Sequence, residues 1–144
     1  STGLTITFVN TQSTHDRLMK AQLVSENSPD YNIFPEALKS GDLDIRYSTI
    51  SDGFPLNFDR MRNHNQFMEG LFHVFSAHVD DLVGNLVSSD PPVSCLIADT
   101  FFVWSSEIAK KYNLVNISLW TEPALAFTCY YHMDLLKTNG HFGS

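Results

Sequence analysis

The sequence has few basic residues. Nine Lys and Arg stand against 16 Asp and Glu, which gives a formal net charge of −7. Proteins that bind nucleic acid or an anionic membrane surface usually present clustered basic side chains, so neither partner is expected here. The chain also lacks any run close to the roughly 20 apolar residues that cross a bilayer, and no membrane span is predicted.

Cysteine is scarce as well. Cys95 and Cys129 are the two cysteines, each inside an apolar run and neither in a CxxC pair. We interpret them as buried free thiols in a reducing compartment, which predicts a cytoplasmic protein. His73 and His78 are five residues apart on a predicted helix, a spacing that does not suit a pair of metal ligands. No metal ion or other cofactor is therefore expected.

The chain opens with Ser1-Thr2-Gly3 and has no initial methionine. Its 144 residues are enough for one domain with a hydrophobic core and too few for two ordinary ones. A hydrophobic fraction of 43% and a count of 11 Phe indicate a folded globular protein. So many rings suit a core packed with aromatic side chains or an apolar pocket.

Four strand-like runs alternate with helix-like segments. The strand-like runs are Leu4–Val9, Ile45–Ile50, Val93–Ala98 and Leu114–Leu119. Helical periodicity marks a short segment after Thr14 and longer ones at about His64–Val87, Phe102–Tyr112 and Pro123–Lys137. The stretch 25–41 contains two prolines and is predicted to be a surface connection. The alternation predicts an α/β, Rossmann-like fold, a parallel sheet with helices on both faces.

One acidic residue follows a nearly unbroken apolar strand. Asp99 ends the run Cys95-Leu96-Ile97-Ala98. Ligands of open parallel sheets bind beyond the carboxyl ends of the strands, so this carboxylate is a candidate for chemistry. A helix N-cap for the segment that follows is an equally good reading of the same residue. A P-loop ATPase is excluded, since no GxxxxGK[ST] motif is present.

Four patches together resemble the plant family 1 UDP-glycosyltransferases, in that family's order and approximate spacing. They lie at 6–11 (ITFVNT), 50–55 (ISDGFP), 93–114 (VSCLIADTFFVW with Ala109 and YNL) and 120–124 (WTEPA). The 86A-type group is the most similar. The resemblance implies that residues 1–144 are part of the N-terminal, acceptor-binding domain of a two-domain GT-B fold, with the C-terminal UDP-sugar-binding domain and the first strand missing.

The resemblance also implies an activity and roles for residues. The parent enzyme would transfer a hexose, first of all glucose, from a UDP-sugar to a hydroxyl or carboxyl group of a small hydrophobic acceptor, with inversion, in plant secondary metabolism. Asp99 matches the catalytic aspartate that orients and stabilises a histidine base. Thr121, 22 residues later, matches a threonine that touches the transferred sugar. The positions that match or lie near acceptor-pocket sites are His64, Phe67, Phe101 and Tyr130.

The catalytic histidine itself has no match. In the family it follows the first strand, whereas Leu4–Val9 matches the second. His15 also follows a strand, but the wrong one. We therefore expect a truncated chain that is inactive by itself and poorly stable, because the absent strand lies between two of those present. The alternative is a non-catalytic or degenerate Rossmann-like domain that binds a small ligand.

Overall fold

The structure is a computed structural model that describes residues 3–23 and 44–141. The chain divides into two compact units, residues 1–94 and 95–144. The predicted surface connection at 25–41 lies outside the described residues.

In the first unit, strand β1 (Thr5–Thr11) pairs in parallel with β2 (Asp44–Ile50), with Thr5 opposite Asp44 and Thr11 opposite Ile50. Helix α1 (Gln12–Leu23) begins directly after β1. The hydroxyl of Thr11 accepts a hydrogen bond from the backbone N–H of Thr14 at 3.2 Å, which satisfies a free N–H of the first helical turn.

The long helix predicted at His64–Val87 is two helices. Helix α2 (His64–His73) ends at Val74, and α3 (Phe75–Val87) begins directly after it. At this break Val74 lies against the backbone of Gly53, where an added Cβ would be 2.9 Å from Val74 Cγ1. Of the predicted apolar stripe, Phe75 and Val83 on α3 are buried in the core of this unit.

In the second unit, β3 (Cys95–Asp99) pairs in parallel with β4 (Val115–Leu119), and α4 (Ser105–Lys111) connects them. The helix predicted at Pro123–Lys137 is again interrupted. It forms α5 (Ala124–Tyr131) and α6 (Met133–Thr138), which are separated at His132.

Parallel strands joined by helices confirm the predicted α/β class, and the described part of the chain holds two two-stranded parallel sheets. Ile97 and Val115 are both 62% exposed, because α4 is the one described helix that contacts β3 and β4. The prediction that both thiols are buried is wrong, although both cysteines are free. Cys95 is half-buried and Cys129 is exposed.

The buried apolar core of the described residues is small and consists of Ile50, Phe75 and Val83 in the first unit and Ile108 and Ala109 in the second. Across the described ranges, no helix has both the length and the apolar character required to cross a membrane.

Candidate functional site

Asp99 is the last residue of β3 and lies opposite Leu119, the last residue of β4. Both strands therefore end at the same edge of their sheet, where ligands of parallel sheets bind. The side chain of Asp99 is half-buried. The parallel pairing thus places a carboxylate at the predicted edge.

Both oxygens of the Asp99 carboxylate accept hydrogen bonds. The backbone N–H of Phe101 donates to Oδ1 at 2.9 Å, and the hydroxyl of Thr121 donates to Oδ2 at 2.8 Å. The bond from Phe101 is a local contact within the turn after β3, and a helix N-cap would make a similar bond. Helix α4, however, begins only at Ser105, and its N-cap residue, Trp104, makes no side-chain cap bond. Asp99 therefore holds the turn that follows β3 and does not cap the helix.

Thr121 reaches Asp99 because the two strands are connected beyond their ends. The backbone N–H of Thr100 donates to the carbonyl of Leu119 at 3.0 Å, and the hydroxyl of Ser118 donates to that of Thr100 at 2.8 Å. These bonds extend the pairing by one residue on the side of β3. The structure thus brings together two residues that the sequence placed 22 positions apart.

Within residues 3–23 and 44–141, the hydrogen-bond donors to the carboxylate of Asp99 are neutral. Among the residues that the structure describes, Asp99 takes part in no ion pair. The two histidines of its unit, His132 and His141, are not hydrogen-bonded to it. An ionised carboxylate has about four lone-pair sites, so Asp99 can still accept a hydrogen bond from a cationic or neutral N–H.

Four aromatic side chains form a cluster centred on Trp120, the residue before Thr121. The Trp120 ring is 6.1 Å from Phe101, 5.3 Å from Phe127 and 5.8 Å from Tyr130, measured between ring centroids. Phe101 and Tyr130, two of the predicted acceptor residues, thus share one neighbour. They are 42% and 55% exposed. Sequence reasoning missed Trp120 and Phe127 as members of this cluster, although the first directly precedes Thr121.

The other two predicted acceptor residues belong to the first unit. His64 is the first residue of α2 and is exposed, and Phe67 is half-buried one turn later. The ring of Phe67 lies 6.0 Å from that of Phe54 and 5.9 Å from the guanidinium carbon of Arg60. Phe67 therefore packs against the loop between β2 and α2.

That loop contains a buried ion pair that the sequence analysis did not identify. Asp52 is 2% exposed, and Arg60 donates to both of its oxygens, from Nε at 2.7 Å and from Nη2 at 2.9 Å. Burial raises the pKa of the Asp52 carboxyl. The hydrogen bonds from Arg60 and Phe54 and the charge of Arg60 outweigh this effect, so the pKa lies below its ordinary value. A spacing of eight residues across a loop has no periodic signature that would reveal the pair.

In the described part of the chain, no group of three or more His, Cys, Asp or Glu side chains is arranged to hold a metal ion.

The chain is similar along its whole length to known glycosyltransferases. It is 61% identical to UDP-glycosyltransferase 86A1 of Arabidopsis thaliana over 145 residues, which cover 100% of this chain and 29% of that protein. The chain belongs to the plant UDP-glycosyltransferases. A second Arabidopsis relative, UDP-glycosyltransferase 86A2, is 50% identical over 100% of the chain and 28% of its own length.

Comparison with solved structures agrees with the α/β fold of the chain. The structure of a UDP-glucose:anthocyanidin 3-O-glucosyltransferase in complex with UDP matches 97% of this chain and 28% of its own, with a TM-score of 0.64 at 20% identity. Os79 from O. sativa matches 94% of the chain and 27% of its own, with a TM-score of 0.59 at 19% identity. At these identities the likeness concerns the fold alone. No protein-family model matches the chain.

The chain spans less than a third of the length of the relatives it matches. The family and the α/β fold are therefore assigned on this span, and both agree with the resemblance noted in the sequence.

Proposed function

We propose that this chain is part of the acceptor-binding domain of a UDP-sugar-dependent glycosyltransferase. The enzyme would transfer a hexose, first of all glucose, to a hydroxyl or carboxyl group of a small hydrophobic acceptor. The observation that carries the proposal is the Asp99 carboxylate, held at the ends of β3 and β4 without a cationic partner among the described residues, in a chain 61% identical to a UDP-glycosyltransferase. The two unpaired cysteines are consistent with a cytoplasmic location.

The proposed chemistry is a single displacement. An imidazole from outside this chain takes the proton of the acceptor hydroxyl. The acceptor oxygen then bonds to the anomeric carbon as the bond from that carbon to the UDP oxygen breaks, so the configuration inverts and UDP leaves. General-base catalysis of this kind typically contributes 10²–10⁴-fold. Asp99 would accept the hydrogen bond of the other ring nitrogen, which fixes the tautomer and stabilises the imidazolium that forms.

The aromatic cluster around Trp120 supports an apolar acceptor. Phe101, Phe127 and Tyr130 leave between 42% and 55% of their surface exposed, and all three surround the ring of one tryptophan. Aromatic faces bind flat apolar molecules by stacking and by removing their surface from water. We propose that Phe101 and Tyr130 contact the acceptor and that Thr121 contacts the sugar. The acceptor roles of His64 and Phe67, in the first unit, stay predictions.

The test is an assay of the full-length protein that contains this chain. It is incubated with UDP-glucose, UDP-galactose or UDP-xylose and a panel of phenols and aromatic acids, and glycosides are detected by mass spectrometry. We expect products with the full-length protein and none with residues 1–144 alone. If no product forms with any pair while phenols still bind, measured by calorimetry, the protein is the non-catalytic ligand-binding domain and the proposal is wrong.

A further inference from the structure

The hydroxyl of Thr121 is hydrogen-bonded to the carboxylate of Asp99. Its oxygen lies 2.8 Å from Asp99 Oδ2. An ionised carboxylate can only accept hydrogen bonds, so the proton between these two oxygens belongs to Thr121. A threonine hydroxyl has one proton and two acceptor lone pairs. When this proton points at Asp99, the Thr121 hydroxyl can only accept a hydrogen bond from a ligand.

We propose that Thr121 is a positioning residue for Asp99, and that it accepts a hydrogen bond from a hydroxyl of the transferred sugar while it donates its own proton to the carboxylate. This proposal rests on the proposed function. To the proposed function, this proposal adds the direction of each hydrogen bond. It also adds a connection between the sugar and the carboxylate that supports the base.

The positioning role follows from how the carboxylate is held. Oδ1 is held by one backbone N–H, that of Phe101 at 2.9 Å, and Oδ2 by Thr121. The plane of a carboxylate is defined only when both oxygens are held, because the torsion next to a terminal sp² group is soft. Without the Thr121 hydroxyl, Asp99 keeps the one bond to its own turn. Its plane is then free to turn away from the direction in which an imidazole would donate.

The distance between the two residues is set by the sheet. Asp99 and Leu119 are paired in register, and the bonds from Thr100 to Leu119 and from Ser118 to Thr100 hold the chain on either side of the site. Thr121 follows Leu119 by two residues. The hydroxyl therefore approaches Asp99 from a position defined by backbone pairing.

The chemical consequence is a choice among sugar groups. A sugar hydroxyl can donate to Thr121, whereas a ring oxygen, a fluorine atom or a carboxylate cannot. A sugar hydroxyl that donates to Thr121 also polarises the Thr121 O–H and strengthens its bond to Asp99, since consecutive hydrogen bonds reinforce one another. Binding of the correct sugar thus improves the orientation of Asp99.

The experiment uses the full-length enzyme and three variants. Thr121→Val keeps the shape and removes the hydroxyl, and Thr121→Ser keeps the hydroxyl. Thr138→Val is the matched control, because the Thr138 hydroxyl donates to the carbonyl of Asp134 within its own helix, at 2.8 Å. We expect Thr121→Val to lower kcat on the order of 10- to 100-fold, Thr121→Ser to retain most of the rate, and Thr138→Val to match the wild type.

A double-mutant cycle separates positioning from a simple sugar contact. In an Asp99→Asn background we expect Thr121→Val to cause at most a few-fold further loss, because its effect operates through that carboxylate. A residue that only binds sugar would show its full loss in both backgrounds, mainly as a higher KM for UDP-glucose. That outcome overturns the proposal.

Donor analogues test the direction of the bond. Each hydroxyl of the glucose in UDP-glucose is replaced in turn by fluorine, which cannot donate. With the wild-type enzyme, one fluorinated donor is expected to react more slowly than UDP-glucose. With Thr121→Val, that donor should react at the same rate as UDP-glucose, because the group that accepts the hydrogen bond has been removed. If no position behaves in this way, Thr121 does not accept from the sugar. If the wild-type enzyme transfers no sugar at all, it is the proposed function that fails, so the two failures are distinguished.

Discussion

The two units of the chain each carry an aspartate at or just after the end of a parallel strand, and the two carboxylates are held in opposite ways. Asp52 follows β2 by two residues, is 2% exposed and is bound through both oxygens to the guanidinium of Arg60. Asp99 ends β3, is half-buried and is held by one N–H and one hydroxyl. The charge of Asp52 is neutralised inside the loop, whereas that of Asp99 has no ion-pair partner among the described residues.

This difference favours Asp99 over Asp52 as the carboxylate of the proposed reaction. The side chains of Arg60 and Asp52 are 14% and 3% exposed, and Arg60 also donates to the carbonyl of Phe58 at 3.0 Å. A buried pair of this kind has little capacity left for a further partner. Asp99 retains lone pairs and an unbalanced charge, as a carboxylate that stabilises an imidazolium requires. Position at a strand end alone does not distinguish the two.

The largest effect is expected at Asp99. Asp99→Ala in the full-length enzyme should lower kcat about 10²–10⁴-fold, because the base loses its orientation and its stabilising charge, while the acceptor KM changes little. Steady-state kinetics with UDP-glucose and an accepted phenol measure both constants. Asp81→Asn, on an exposed position of α3, is the control. Equal losses for Asp99→Ala and Asp81→Asn would show that the carboxylate of Asp99 has no special part in the reaction.

The second effect concerns stability at Arg60. Arg60→Met leaves the charge of Asp52 buried without its partner and should lower the free energy of unfolding by about 3 kcal/mol. Arg62→Met is the matched control, since Arg62 and Asp59 form an exposed pair at 3.5 Å with 87% and 50% of the side chains accessible. That control should cost at most about 0.5 kcal/mol. Urea unfolding measures both, and similar values for the two arginines would contradict the comparison.

A smaller effect is expected where the loop of Asp52 packs on α2. Gly70 is buried under the ring of Phe54, and an added Cβ would lie 2.6 Å from Phe54 Cζ. Gly70→Ala should therefore destabilise the protein by about 1–3 kcal/mol through overpacking. The double variant Phe54→Leu with Gly70→Ala should be more stable than the sum of the two single changes predicts, as thermal unfolding would show. Strict additivity would mean that this contact is absent.

The smallest expected effect is a change in how the free energy of unfolding depends on pH. The pKa of Asp52 is lower in the folded state than in the unfolded chain, so its contribution is complete above the unfolded value and is lost as the pH falls through the folded value. Wild type should therefore lose stability more steeply than Asp52→Asn below about pH 4. Urea unfolding at several pH values between about 6 and 3 tests this. Parallel curves would show that Asp52 titrates alike in both states.

Some features of the site were accessible to sequence reasoning because they are local or repeat with a period. The apolar run 95–98 predicted strand β3, and the end of this run predicted that Asp99 lies at the end of the strand. The 22-residue separation of Asp99 and Thr121 came from the resemblance to a family. Helix boundaries were less accessible. The breaks at Val74 and His132 interrupt runs whose apolar spacing continues, so periodicity alone could not show them.

The sequence by itself determined the α/β alternation, the strands that end at Asp99 and near Thr121, and the family. These depend on the pattern of apolar residues and on local motifs, which a linear chain displays. Only the tertiary structure decided that Thr121 donates to Asp99 and that Arg60 neutralises Asp52. It also decided that the ring of Trp120 lies beside the rings of Phe101 and Tyr130. The physical reason is that each of these contacts joins residues across a turn or a strand pair, where distance in space is unrelated to distance along the chain.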